Sequence, residues 1–231
     1  MLSAMILAGG LGTRLRPAVA DRPKVMALVN GRPFLSYLLD QLVDAGVRDV
    51  VLCVGYLGDA VLEAFQDSYR GSKIRYSRED VPLGTGGALR HALKVVSGDA
   101  FLIMNGDSYC DLDLRAFVEC HRDARAAASI ALTRVDDVRR YGSVTVDPHM
   151  RVLDFEEKGV RSGAGLINAG IYLLDKGVLA AIPEGKPVSL EREVFPRLIG
   201  GGINGFHVSG RFIDIGTPES YRCAAEFFGG A

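Results

Sequence analysis

The chain carries no block of five like charges and no apolar run approaching the ~18 to 20 residues needed to cross a bilayer. With 27 Lys plus Arg against 28 Asp plus Glu, its formal charge of −1 excludes a general polyanion binder, so neither nucleic acid nor a membrane is an expected partner. Met1 to Ala8 lacks both the basic start and the long apolar centre of an export signal. The 4 cysteines, Cys53, Cys110, Cys120 and Cys223, include no C-x-x-C pair, and Cys53 falls in an apolar run, so they read as reduced core thiols of a cytoplasmic protein. The 4 histidines, His91, His121, His149 and His207, lack metal-site spacing and receive no role. No nucleophile elbow is present, which leaves covalent Ser or Cys catalysis unsupported.

What is present is an ordinary globular composition, 48% apolar and 24% charged. A chain of 231 residues makes one large domain or two small ones and buries roughly 70% of its unfolded surface without staples. Continuous aliphatic runs at Ala4 to Ala8, Val50 to Val54 and Phe101 to Met104 read as strands buried on both faces. Between them Phe34, Leu35, Leu38, Leu39 and Leu42, then Val61, Leu62 and Phe65, then Leu89, Ala92, Leu93 and Val96 keep helical spacing. Strand and helix alternate, which demands crossovers and favours a mostly parallel sheet. After about residue 126, Ser129 to Val135, Gly142 to Val146, Val152 to Glu156 and Gly165 to Leu174 are strand-like with only turns between, so antiparallel pairing is expected there. Short strands near Gly205 and Arg211 and helices over Ser189 to Ile199 and Pro218 to Phe228 complete a single α/β domain with a mixed central sheet.

The first strand runs into Leu7-Ala8-Gly9-Gly10-Leu11-Gly12-Thr13-Arg14-Leu15-Arg16-Pro17, where glycines let backbone N–H groups approach phosphate oxygens closely. A dinucleotide fingerprint would need a glycine where Leu15 stands, and a Walker loop would need Gly-Lys-Ser or Gly-Lys-Thr. Arg14 and the Pro23-Lys24 pair add the cations that a triphosphate requires. A second small-residue segment, Pro82-Leu83-Gly84-Thr85-Gly86-Gly87-Ala88-Leu89, opens a helix after a strand. Asp107 in Asn105-Gly106-Asp107 and Asp214 in Phe212-Ile213-Asp214-Ile215-Gly216-Thr217-Pro218 each sit at a strand's carboxyl end, where ligands of open α/β sheets bind.

The run from Leu7 to Pro17 with the following Pro23-Lys24 resembles the signature of the sugar-1-phosphate nucleotidyltransferases. The resemblance extends from Met5 to about Tyr221 and implies that family's single-domain, Rossmann-like nucleotidyltransferase fold, with no appended carboxyl-terminal repeat domain. It implies a mainly nucleotide-binding half, residues 1–125, and a mainly sugar-phosphate-binding half, residues 126–231. The nucleotide would be held by Leu7, Ala8, Gly9, Gly10, Gly12, Thr13, Arg14 and Lys24, with Gly84, Thr85 and Gly86 at the base and room for a purine at Gly87. Arg14, Lys24 and Asp107 would be catalytic, and Asp107 with Asp214 would hold one Mg²⁺. Tyr141-Gly142, the Glu157-Lys158 pair and Asn168 would line the sugar pocket, Lys158 touching the sugar phosphate.

The implied reaction joins a nucleoside triphosphate and a sugar 1-phosphate into a nucleotide-sugar with release of pyrophosphate. Val29-Asn30-Gly31-Arg32-Pro33-Phe34-Leu35, Met104-Asn105-Gly106-Asp107-Ser108-Tyr109 and the compact length look most like the D-glycero-D-manno-heptose 1-phosphate guanylyltransferases within that family. That implies GTP and a heptose 1-phosphate as substrates. Mannose 1-phosphate guanylyltransferase and N-acetylmuramate 1-phosphate uridylyltransferase are the near alternatives. A catalytically silent nucleotide-sugar sensor or regulatory subunit is the alternative of another class, and intact Arg14, Lys24, Asp107, Lys158 and Asp214 argue against it. Self-association into a homo-oligomer stays open.

Overall fold

The aliphatic runs become the centre of one eight-stranded sheet. The computed structural model describes residues 2–10, 15, 19, 22–156 and 158–229. In chain order the first half forms β1 (Ser3–Leu7), β2 (Leu28–Val29), β3 (Arg32–Pro33), α1 (Phe34–Asp44), β4 (Asp49–Val54), α2 (Gly58–Phe65), β5 (Ser68–Tyr69), β6 (Ser72–Arg78), α3 (Gly84–Ala92), β7 (Ala100–Asn105), β8 (Ser108–Cys110) and α4 (Leu114–Ala124). The second half forms β9 (Ala128–Val135), β10 (Ser143–Val146), β11 (Val152–Glu156), β12 (Gly165–Asp175), α5 (Lys176–Ala180), α6 (Phe195–Leu198), β13 (Ile203–Val208), β14 (Phe212–Asp214) and α7 (Pro218–Gly229).

The sheet order is β13-β9-β12-β7-β1-β4-β6-β5. β1 runs parallel to β4 and β7, β4 to β6, and β9 to β13, while β12 is antiparallel to both β7 and β9. One sheet therefore spans both halves of the chain. Alternate residues of its central strands enter different cores: Ala4, Ile6, Leu52, Leu102 and Met104 on one side, Met5, Val51, Cys53 and Ile103 on the other. Because both sides must be covered, α1 packs Phe34, Leu35, Leu38, Leu39 and Leu42 into the first core, and α3 packs Leu89 and Ala92 into the second. Each of those α1 side chains is at most 1% exposed, so truncating one to alanine costs about 2 to 5 kcal/mol.

Several expectations change. α4 shows no simple aliphatic stripe because its inward positions are Leu114, Phe117 and His121; the buried His121 lies 2.8 Å from Ser129 Oγ through Nδ1 and 3.4 Å from Asp175 through Nε2. The strand expected before Pro82 is β6, whose bounds no aliphatic run marks because Ser72 and Ser77 share its buried positions with Ile74. The single helix expected over Ser189 to Ile199 is a π turn, Leu190–Val194, followed by the short α6, with Pro196 supplying no N–H at the junction. Only Cys53 and Cys110 are buried thiols, both pushed up to about 12 by burial, whereas Cys120 is half-buried and Cys223 exposed.

Candidate active site

The carboxyl ends of β1, β4, β6 and β7 meet around Gly9. Ala8 N–H donates to Cys53 O at 2.8 Å and Gly106 N–H to Leu7 O at 3.0 Å, so Leu7 and Ala8 are held by neighbouring strands on either side. A Cβ on Gly9 would lie 2.9 Å from Glu79 Oε1 and 3.1 Å from Gly55 N, while one on Gly10 would meet nothing within 4 Å among the described residues. Glu79, which follows β6, is therefore walled by Gly9 and Gly55. Its Oε2 accepts Leu83 N–H at 3.1 Å, and no cation among the described residues pairs with it. Burial holds its carboxyl above the ordinary glutamate range, partly offset by the Leu83 N–H. Gly12, Thr13 and Arg14 lie outside the described residues.

The small-residue segment at the start of α3 is used differently. Gly86 N–H and Gly87 N–H donate to Val188 O at 2.8 and 3.3 Å, and Val188 N–H returns to Leu83 O at 2.9 Å. Gly84 takes a φ of +69°, and its Cβ would sit 2.6 Å from Val188 O. The space expected for a purine at Gly87 is filled: a Cβ there would lie 2.6 Å from Lys186 O and 2.9 Å from Leu83 Cβ. Thr85 Oγ1 donates to Glu191 Oε2 at 2.9 Å and accepts Leu190 N–H at 2.8 Å. These residues clamp the segment 186–191 against α3.

The two aspartates, far apart in sequence, become neighbours through strand pairing. β14 runs antiparallel to β8 with Asp214 opposite Ser108, and Ile215 N–H donates to Asp107 O at 2.9 Å. Each carboxylate has a cation. Lys24 closes onto Asp107 Oδ2 at 2.6 Å, from a 3₁₀ turn anchored by buried Val25 and Met26. Arg140 Nη2 lies 2.6 and 2.7 Å from the two oxygens of Asp214, whose Oδ1 also accepts Gly216 N–H at 2.7 Å. Thr217 caps α7 through Ser220 N–H at 3.3 Å, leaving Asp214 to face the cavity.

That cavity, about 350 Å³, takes Asn105, Asp107 and Ser108 from the first half and otherwise draws on the second. Tyr141, Gly142, Lys158 and Asn168 all line it, whereas Glu157 lies outside the described residues. Glu156 lines it instead, accepting from Ser143 Oγ. The Tyr141 hydroxyl is pushed up to about 12 by burial and by the Asp214 charge. Asn168 is already committed: Oδ1 accepts Gly170 N–H at 2.8 Å, and Nδ2 donates to the buried Tyr172 hydroxyl at 2.9 Å. Asn105 Nδ2 reaches the same hydroxyl at 3.3 Å, while its buried Oδ1 has no partner among the described residues. Three lining or bordering groups carried no sequence signal: Glu79, Arg140 and Glu191, each an ordinary charged residue until folding brings it to the site. Among the described residues no group of three or more His, Cys, Asp or Glu side chains could hold a metal. A cation on Asp107 and Asp214 would complete its coordination with water or substrate oxygens.

A family model described as "Nucleotidyl transferase" matches residues 3–229. The chain is 40% identical over 223 residues to the D-glycero-alpha-D-manno-heptose 1-phosphate guanylyltransferase of Campylobacter jejuni, covering 95% of this chain and 97% of that one. It is likewise 40% identical over 225 residues to the mannose-1-phosphate guanylyltransferase of Mycobacterium tuberculosis, covering 95% of this chain but 62% of that one. The crystal structure of HddC from Yersinia pseudotuberculosis complexed with GMP-PN superposes with a TM-score of 0.88 at 40% identity, covering 99% of this chain and 100% of that one. Its mostly parallel mixed sheet is thus that of a known nucleotidyltransferase fold. On the extent of these matches, the chain belongs to the nucleotidyl transferase family.

Proposed function

We propose that the protein transfers a guanylyl group from GTP to D-glycero-α-D-manno-heptose 1-phosphate, giving GDP-heptose and pyrophosphate. The observation that carries the choice of base is Glu79, a carboxylate without a cation partner among the described residues, placed beside Gly9 and Gly55. Guanine presents N1–H and an amino group side by side, two donors that match two carboxylate oxygens. Thymine and uracil present one N–H flanked by carbonyl oxygens, which a carboxylate repels. The relatives named as heptose 1-phosphate guanylyltransferases support the sugar. Mannose 1-phosphate is the second reading, favoured by the equal 40% identity to a mannose-1-phosphate guanylyltransferase.

In this reading residues 1–125 mainly bind nucleotide and residues 126–231 mainly bind sugar phosphate. The open side of Gly10 receives phosphate oxygens, with Gly12, Thr13, Arg14 and Lys24 completing the cradle. Gly84, Thr85 and Gly86 act on the base side indirectly, by fixing the start of α3, where Leu83 N–H holds Glu79, and they also fix the segment that carries Glu191 into the sugar cavity. Tyr141, Gly142, Glu157 and Asn168 hold the sugar ring, and the exposed Lys158 meets its phosphate. A phosphate oxygen of the sugar attacks the α-phosphorus as pyrophosphate leaves, so one P–O bond forms as another breaks. The chain's task is to align the two phosphates and neutralise their charge, with no covalent enzyme intermediate.

The residues fit a divalent cation. Asp107, in the turn just before β8, and Asp214, on the paired strand β14, line one cavity, and Mg²⁺ commonly takes one or two carboxylates with the rest of its octahedron from phosphates and water. When bound, it would supply charge neutralisation on the phosphates. Pyrophosphate release measured for each nucleoside triphosphate against heptose and mannose 1-phosphates tests the assignment. GTP with the heptose phosphate is expected to give the highest kcat/KM, and a preference for UTP or dTTP of ~10-fold or more, about 1.4 kcal/mol, contradicts the base assignment.

A further inference from the structure

Arg140 ends the 3₁₀ turn Val138–Arg140 and lines the cavity. Its Nη2 lies 2.6 and 2.7 Å from the oxygens of Asp214 and 2.8 Å from Ser220 Oγ. One amino group has two hydrogens, so three acceptors oversubscribe it. The contact is a point-charge pairing, unlike the two-pronged fork of an arginine that stays with its carboxylate. Nε and Nη1 have no hydrogen-bond acceptor among the described residues, and Cζ rests 5.2 Å from the centre of the Tyr141 ring. Asp214 does not need Arg140 for orientation, because Gly216 N–H holds Oδ1 at 2.7 Å.

The two cations of the cluster differ. The Lys24 side chain is 12% exposed, with its ammonium packed between Asp107 and Gly216, whereas the Arg140 side chain is 34% exposed. A guanidinium and a divalent cation cannot both sit against the same carboxylate oxygens. We propose that Arg140 is an exchangeable counter-ion. It neutralises Asp214 in the substrate-free site, yields that carboxylate to the divalent cation, and turns its unpaired N–H groups to the phosphate monoester of the sugar substrate. This rests on the reading of Asp214 as a cation ligand and adds to it a positioning residue whose charge moves from protein to substrate.

The test uses Mn²⁺ as probe on the full chain without nucleotide, with free ion followed by electron paramagnetic resonance. Arg140→Ala is expected to bind Mn²⁺ at least ~5-fold more tightly than wild type, since an unpaired carboxylate attracts a cation more strongly. Arg140→Met, which keeps the side-chain bulk, should do the same. Arg139→Ala removes a charge from the same turn, where Arg139 faces Asp137 at 3.8 Å, and should change affinity less than ~2-fold because it lies away from Asp214. In an Asp214→Asn background, adding Arg140→Ala should likewise change it less than ~2-fold, which isolates the pair. Arg140→Ala should also raise the KM for sugar phosphate by a larger factor than it lowers kcat. No tightening in either Arg140 variant, or tightening that persists without Asp214, overturns the proposal. Asp214→Asn binding Mn²⁺ as wild type does would overturn the cation reading beneath it.

Discussion

Two glycine-rich segments lie at the same end of the sheet, and the protein uses them in opposite ways. At Gly84 to Gly87 the missing side chains are replaced by protein: Val188 O, Val188 Cγ1 and Lys186 O occupy the space that Cβ atoms would take. At Gly9 the missing side chain leaves room for a carboxylate, and at Gly10 no described residue comes within 4 Å of the place a Cβ would take. The same residue type thus serves close packing in one place and, in the proposed site, ligand approach in the other. A glycine motif marks where backbone comes close to something; the fold decides whether that is the chain itself or a substrate.

The largest expected effect tests whether chemistry belongs to the open side at all. Asp107→Asn and Asp214→Asn should each lower kcat at least ~100-fold by removing charge that the transition state needs, with folding retained. Near-wild-type turnover at saturating Mg²⁺ in either variant removes that aspartate from the centre. Next comes Lys158→Ala, expected to raise the KM for sugar phosphate about 10-fold while leaving the KM for nucleotide nearly unchanged, as the loss of a single charge contact to one substrate. Equal shifts in both would break the division between the two halves of the cavity.

The glycines themselves separate by stability. Gly87→Ala drives a methyl against Lys186 O and should destabilise the protein by about 1 to 3 kcal/mol, visible as a lowered Tm. Gly10→Ala meets nothing within 4 Å among the described residues, so its Tm should change little while its KM for nucleotide rises. The reverse pattern would invert the comparison. The smallest effect concerns the thiols. Cys53 and Cys110 are pushed up to about 12 from an ordinary value of 9.0, so they stay protonated in the fold where unfolded thiols ionise. Folding stability should therefore fall gradually as pH rises above about 9. At pH 8 an alkylating reagent should reach the exposed Cys223 and spare both buried thiols; alkylation of Cys53 or Cys110 at the Cys223 rate contradicts the burial.

The sequence made the centre of the sheet legible because β1, β4 and β7 are buried on both faces and must be aliphatic throughout. It concealed α4 and the bounds of β6, whose inward positions include His121, Ser72 and Ser77: polar groups that become acceptable inside only after tertiary partners such as Ser129 Oγ and Val47 O arrive. The same holds for the site. Asp107 and Asp214 were legible because their motifs fall at strand ends. Arg140 pairs across 74 residues and Glu191 across 106, separations at which no local pattern operates. Glu79 was passed over because its significance lies in the two glycines that wall it.

The base assignment is the claim on which the rest leans, and Glu79→Gln tests it most directly. An amide offers one acceptor and one donor, which suits the imide edge of a pyrimidine better than the paired donors of guanine. The measurement is the ratio of kcat/KM for GTP to that for UTP, with the heptose phosphate saturating, in wild type and in Glu79→Gln. The account predicts a wild-type ratio above ~10 that falls at least ~10-fold in the variant, as expected for losing one charge-assisted contact of about 1.4 kcal/mol or more. An unchanged ratio in a folded Glu79→Gln protein would contradict it.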